Sequence, residues 1–84
     1  MNLTGKKALI TGASGGIGGA IAKALADAGA SVAISGTRRE ALEALNNELG
    51  GAAKILPCNL TEAAAVEALP GQAEAALGGL DILV

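Results

Sequence analysis

Thr11-Gly12-Ala13-Ser14-Gly15-Gly16-Ile17-Gly18 is the stretch in which residue type and spacing point to chemistry. Gly12, Gly16 and Gly18 follow a G-x-x-x-G-x-G pattern, with the apolar run Ala8-Leu9-Ile10 directly before it and a helical pattern after it. A strand that turns through glycines into a helix aims unpaired backbone N–H groups and the positive end of the helix dipole at one point. That geometry binds phosphate. A Cβ in the turn would block a diphosphate, and some turn positions require positive φ. A P-loop is excluded, because no Lys-Ser/Thr pair follows a correctly spaced glycine. The strict G-x-G-x-x-G fingerprint is excluded too, because Ser14 and Ile17 stand where it has glycine. The bland alternative is an ordinary glycine-rich turn.

A second informative stretch lies where the ribose of a dinucleotide would be read. An NAD site places Asp or Glu at the end of the second strand to accept from the ribose 2′-hydroxyl. From Ala28 to Arg39 there is no carboxylate, and Ser35-Gly36-Thr37-Arg38-Arg39 occupies the position. Without the acid a 2′-phosphate is not repelled, and a guanidinium offers it bidentate donors. Two arginines at a helix start oppose the helix dipole, so a bound anion would account for them. A solvated charged face is the alternative. The expected cofactor is therefore NADP (NADPH) rather than NAD. Asn59-Leu60, after the third strand, falls where adenine would lie; Asn59 is either a base contact or a turn residue. Cys58 reads as a small buried residue. Asp81 either bonds backbone donors near the glycine loop or faces outward.

These groups are positioned by alternating strands and helices. Strand 1 is expected at about 7–11 and helix 1 at 16–28, with Ile17, Ala20, Ile21, Ala24, Leu25 and Ala28 forming its apolar stripe. Strand 2 covers 30–35 as a continuous apolar run, which suits a strand buried on both faces. Thr37 and Glu40 fit a capping box for a second helix that carries Leu42, Leu45 and Leu49 inward and stops at Gly50-Gly51. Strand 3 is about 53–57. Thr61 caps a third helix that buries Val66 and Leu69, breaks or kinks at Pro70-Gly71 and continues over 72–77. Strand 4, 80–84, closes the pattern with a free apolar edge. Short loops between such units imply a parallel sheet in the order 3-2-1-4, the N-terminal half of a Rossmann-like doubly wound α/β fold in one incomplete domain, 1–84.

Composition narrows the function classes. The 84 residues hold 13 Gly and no Trp, Tyr, Phe or His, so the core must be aliphatic. A net charge of −2 argues against nucleic acid or an anionic membrane as partner. One Cys and no His leave no basis for a disulfide or a structural zinc. At the N-terminus only three apolar residues follow Lys7, too few for a signal-peptide core or a membrane span, so a reducing cytoplasm is the expected compartment.

Taken together, 6–18 resembles the N-terminal cofactor signature T-G-x-x-x-G-x-G of the short-chain dehydrogenase/reductase family. Leu80-Asp81-Ile82-Leu83-Val84 resembles the strand that precedes the family's N-N-A-G motif. Within that family, 35–38 and 55–60 are most similar to the branch that reduces 3-oxoacyl groups on acyl carrier protein with NADPH. By that resemblance Gly12, Ser14, Gly16, Ile17 and Gly18 wrap the diphosphate and adenosine, with Gly15 in the same cofactor-binding turn. Thr37, Arg38 and Arg39 face the 2′-phosphate, and Asn59 and Leu60 flank adenine. Many relatives have Asp-Val at the last pair, and many that use NADP have a basic residue at Gly15; the second departure shifts selectivity onto Arg38 and Arg39. The family's catalytic Asn, Ser, Tyr and Lys map to no position here, so these residues alone are expected to be inactive. The resemblance implies an acyl-carrier-protein substrate and a homotetramer for the full-length parent. Two other readings are a stand-alone nucleotide-binding module without chemistry and an S-adenosylmethionine methyltransferase fragment. The second wants an acid at the end of strand 2, which is absent.

Overall fold

The structure is a computed structural model that describes residues 2–13, 15–56 and 63–84. The elements are β1 (Lys7–Ile10), α1 (Gly16–Asp27), β2 (Ser31–Ile34), α2 (Arg39–Glu48), β3 (Lys54–Ile55), α3 (Ala63–Leu77) and β4 (Ile82–Leu83). They form a four-stranded sheet in the order β3-β2-β1-β4 with every pairing parallel, as the sequence pattern implies. The register sets Ala8 against Val32 and Ile82, and Ile34 against Ile10 and Ile55.

Successive strand residues point to opposite faces, which divides the core in two. Ala8, Ile10, Val32 and Ile34 pack with Ala22 of α1 and with Leu42 and Leu45 of α2. Leu9 and Ala33 face the other way and pack with Leu69 and Ala73 of α3. Both faces of the central strands are thus covered, which is why their sequences read as unbroken apolar runs. Leu49 packs at the margin of the first cluster.

Several local expectations fail for identifiable reasons. In α1 the buried residue is Ala22, helped by Ile21, Leu25 and Ala26, whereas Ile17, Ala20 and Ala24 are exposed. At the start of the helix a Cβ at Gly18 would collide with the Gly12 carbonyl, so there the backbones approach too closely for a large side chain and Ile17 faces away. The capping box does not form. The N-cap of α2 is Arg38, with extended φ −107° and ψ 102° and no side-chain capping bond. The Leu42 N–H donates to the Arg38 carbonyl at 3.2 Å. Glu40 is therefore at the second helical position, out of register for the reciprocal bond.

Leu69 is buried as expected, but Val66 is 39% exposed. Helix α3 runs through Pro70 to Leu77 as one element, without ending at Pro70-Gly71. Leu69 and Ala73, on either side of Pro70, are both anchored in the core, and that packing holds the helix together across the missing N–H. Asp81 bonds a backbone donor, but at the far end of the sheet from the glycine turn. The Lys7 N–H donates to Asp81 Oδ2 at 2.9 Å while the Asp81 N–H donates to the Lys7 carbonyl at 2.8 Å. The expected Thr61 cap, Pro57 and Cys58 lie outside the described residues.

Candidate functional site

Two loops meet at the C-terminal ends of β1 and β2. The first follows Ile10 and enters α1 at Gly16; the second follows Ile34 and enters α2 at Arg39. The Ala13 N–H donates to the Ser35 carbonyl at 2.8 Å, and the Ser35 N–H donates to the Ile10 carbonyl at 2.9 Å. The two loops are thus fixed to each other. In an open parallel sheet this end of the strands is where ligands bind.

The glycine turn is built by three local facts. Gly12 takes φ +63°, a left-handed conformation that side chains resist. The Gly15 N–H closes the turn onto the Gly12 carbonyl at 3.0 Å. Ala13, only 3% exposed, drops its methyl into the core between the two glycines and pins the loop from below. Sequence reasoning gave Ala13 no role; its one signal was a small apolar residue inside an otherwise polar turn. Thr11 also carries an unforeseen contact, its hydroxyl donating to the Val84 carbonyl at 2.7 Å.

Among the described residues, no side chain caps the start of α1. Gly15 is the N-cap with extended φ −91° and ψ 163°, and the first turn holds no acidic residue. The N–H groups of Gly16, Ile17 and Gly18 belong to the first helical turn, where no earlier carbonyl of the helix can reach them. Gly18 is required by packing, since a Cβ there would collide with the Gly12 carbonyl and stand 3.0 Å from the Ala13 Cα. Gly16 differs: a Cβ on it would meet nothing within 4 Å. The space in front of Gly16, at the positive end of the helix, is therefore free of the described residues. Ile17, 83% exposed, stands beside it as a large apolar side chain with no cover from the described residues. Among the described residues, an uncapped helix start, an open glycine and an uncovered Ile together fit the diphosphate of a dinucleotide.

At the second loop Thr37, Arg38 and Arg39 are all exposed. The Thr37 hydroxyl is not spent on capping. Arg39 Nε lies 3.2 Å from Glu43 Oε1, one turn on, with the side chains 67% and 55% exposed. Arg38 makes no salt bridge among the described residues. Of the predicted set, the structure brings Gly12, Gly15, Gly16, Ile17 and Gly18 to one turn, and Thr37, Arg38 and Arg39 to the adjoining one. Ser14, Asn59 and Leu60 lie outside the described residues. Among the described residues there is no group of three His, Cys, Asp or Glu that could hold a metal ion. No described helix is long and apolar enough to cross a membrane.

Comparison with known proteins agrees with this geometry. The family described as short chain dehydrogenase matches residues 6–84. Nodulation protein G of Rhizobium sp. (strain N33) is 57% identical over 82 residues, covering 98% of this chain and 34% of that protein. The crystal structure of 3-ketoacyl-(acyl-carrier-protein) reductase from Brucella melitensis complexed with NADH matches with a TM-score of 0.88 at 38% identity, covering 98% of this chain and 34% of that one. Blue fluorescent protein from a metagenomic library, in complex with NADPH, matches with a TM-score of 0.89 at 35% identity, covering 99% of this chain and 36% of that one. The chain spans about a third of the length of the curated relatives it matches.

Proposed function

The chain belongs to the short-chain dehydrogenase family, and from that premise we propose that it forms the NADP-binding part of a reductase acting on 3-oxoacyl groups carried by acyl carrier protein. The bound nicotinamide dinucleotide supplies the hydride for such a reduction. Residues of this chain hold it. The N–H groups at the start of α1 receive the diphosphate, Gly16 leaves room for it, and Ile17 covers it from the open side. Ser14 joins them, and Asn59 and Leu60 flank the adenine.

Arg38 carries the choice of NADP. It is exposed at the end of β2, at the start of a helix where a cation is unfavourable without an anion nearby, and no carboxylate intervenes between Ala28 and Arg39. The chemistry of the acyl substrate is supported more distantly, by the Brucella reductase among the matching structures. The chain holds no Tyr, the family's proton donor, so the proton comes from other residues of the full-length protein. The full-length protein, by the same reading, is a cytoplasmic homotetramer.

The test is Arg38→Glu in the full-length protein. NADPH should weaken relative to NADH by roughly 1–3 kcal/mol, the scale of a charge-assisted hydrogen bond to phosphate. An unchanged NADPH/NADH ratio removes Arg38 from the reading. Failure of the unaltered protein to reduce an acetoacetyl thioester of acyl carrier protein removes the substrate.

A further inference from the structure

We propose that Glu43 sets the strength of 2′-phosphate recognition by competing with the ligand for Arg39. This rests on the NADP reading above. The two arginines of the second loop are in different situations. Arg38, at the N-cap of α2, has no carboxylate partner among the described residues, whereas Arg39 is engaged one turn down the helix, its Nε 3.2 Å from Glu43 Oε1.

The pair is a weak one on three counts. Both side chains are more than half exposed, so water screens the attraction. The order, cation before anion along the helix, is the less favourable one for an i,i+4 pair. Arg39 also sits in the first helical turn, where the dipole repels it. A guanidinium held this loosely is available to a phosphate dianion at the helix start, but only after it leaves the carboxylate. Glu43 is thus a positioning residue. It holds Arg39 along the helix flank while no phosphate is bound, and it subtracts the worth of the pair from the affinity when one is.

The probes are 2′,5′-ADP and 5′-AMP, which differ by the 2′-phosphate alone, titrated calorimetrically into the full-length protein at low salt. Glu43→Gln should tighten 2′,5′-ADP by roughly two- to fivefold, the range measured for exposed ion pairs, and leave 5′-AMP unchanged. The gain should vanish when Arg39→Ala is added, and it should shrink as salt is raised. A gain that survives Arg39→Ala overturns the proposal, because Glu43 would then act as a distant charge only. Equal tightening of both probes, or of neither, also overturns it. If the unaltered protein itself binds 2′,5′-ADP no better than 5′-AMP, the NADP reading falls first. If the unaltered protein prefers 2′,5′-ADP and Glu43→Gln changes nothing, the competition alone falls.

Discussion

A Cβ at position 18 would fall on the backbone of Gly12, with the carbonyl carbon 2.8 Å away. The first turn of α1 and the turn that follows β1 therefore touch backbone to backbone. Gly18→Ala must push the helix off the turn or twist the turn under it. The expected loss is about 1–3 kcal/mol of stability, the range for overpacking, together with loss of dinucleotide binding. Urea unfolding with an unchanged slope reads the first and ligand titration the second. Retention of both would show that the contact relaxes freely.

Gly16→Ala separates binding from folding. Its Cβ meets no atom of the described residues within 4 Å, and the residue opens a helix, where Ala is the better former. Stability should hold or rise by up to about 1 kcal/mol. Dinucleotide affinity should fall by about tenfold or more, because the methyl occupies the path of the diphosphate and separates it from the N–H groups. Unchanged affinity would move the diphosphate away from this turn.

The contrast between these two glycines marks how far the sequence was legible. The G-x-x-x-G-x-G spacing located the turn, because strand, glycine turn and helix follow one another within a few residues, and the alternation of strands and helices through short loops gave the strand order. It could not show that a Cβ at Gly18 would meet backbone while one at Gly16 would meet none of the described residues, since only the fold reveals that. The stripe of α1 was right at Ile21 and Leu25 and wrong at Ile17, where the close approach of Gly18 to Gly12 leaves no room for a large side chain. The arginines of the second loop were visible as residue types. The pairing of Arg39 with Glu43 and the shift of the N-cap to Arg38 depend on where the helix starts, which the Thr37–Glu40 spacing mispredicted by one residue.

Asp81 and Lys7 clasp the N-terminal ends of β1 and β4 through reciprocal bonds of 2.9 and 2.8 Å. Asp81→Ala should destabilise the protein by about 1 kcal/mol, a value kept low by exposure. Asp81→Asn should recover most of it, since the amide oxygen still accepts from the Lys7 N–H. Equal loss in both variants would assign the effect to charge and not to the bond.

Ser35 is fully buried, and its hydroxyl has no hydrogen-bond partner among the described residues, while its backbone ties the two loops together. Ser35→Ala keeps the backbone bonds and removes the orphaned group. Stability should rise by about 1 kcal/mol, part of the penalty for burying an unpaired polar group. A loss of similar size would show that the hydroxyl finds a partner in solution.

Pro70 lies inside α3, between the core residues Leu69 and Ala73. It cannot donate to the Val66 carbonyl one turn earlier, and its ring crowds that carbonyl. Packing of Leu69 and Ala73 holds the helix over this defect, so the protein carries the strain in its native state. Pro70→Ala restores the N–H and should stabilise the fold by about 1–3 kcal/mol, less than the full helix penalty because the half-buried ring also gives up packing and the unfolded chain gains freedom. Thermal and urea unfolding both read the change. A net loss would mean that the ring's contacts in the cleft it lines with Leu9 and Leu69 outweigh the helix term.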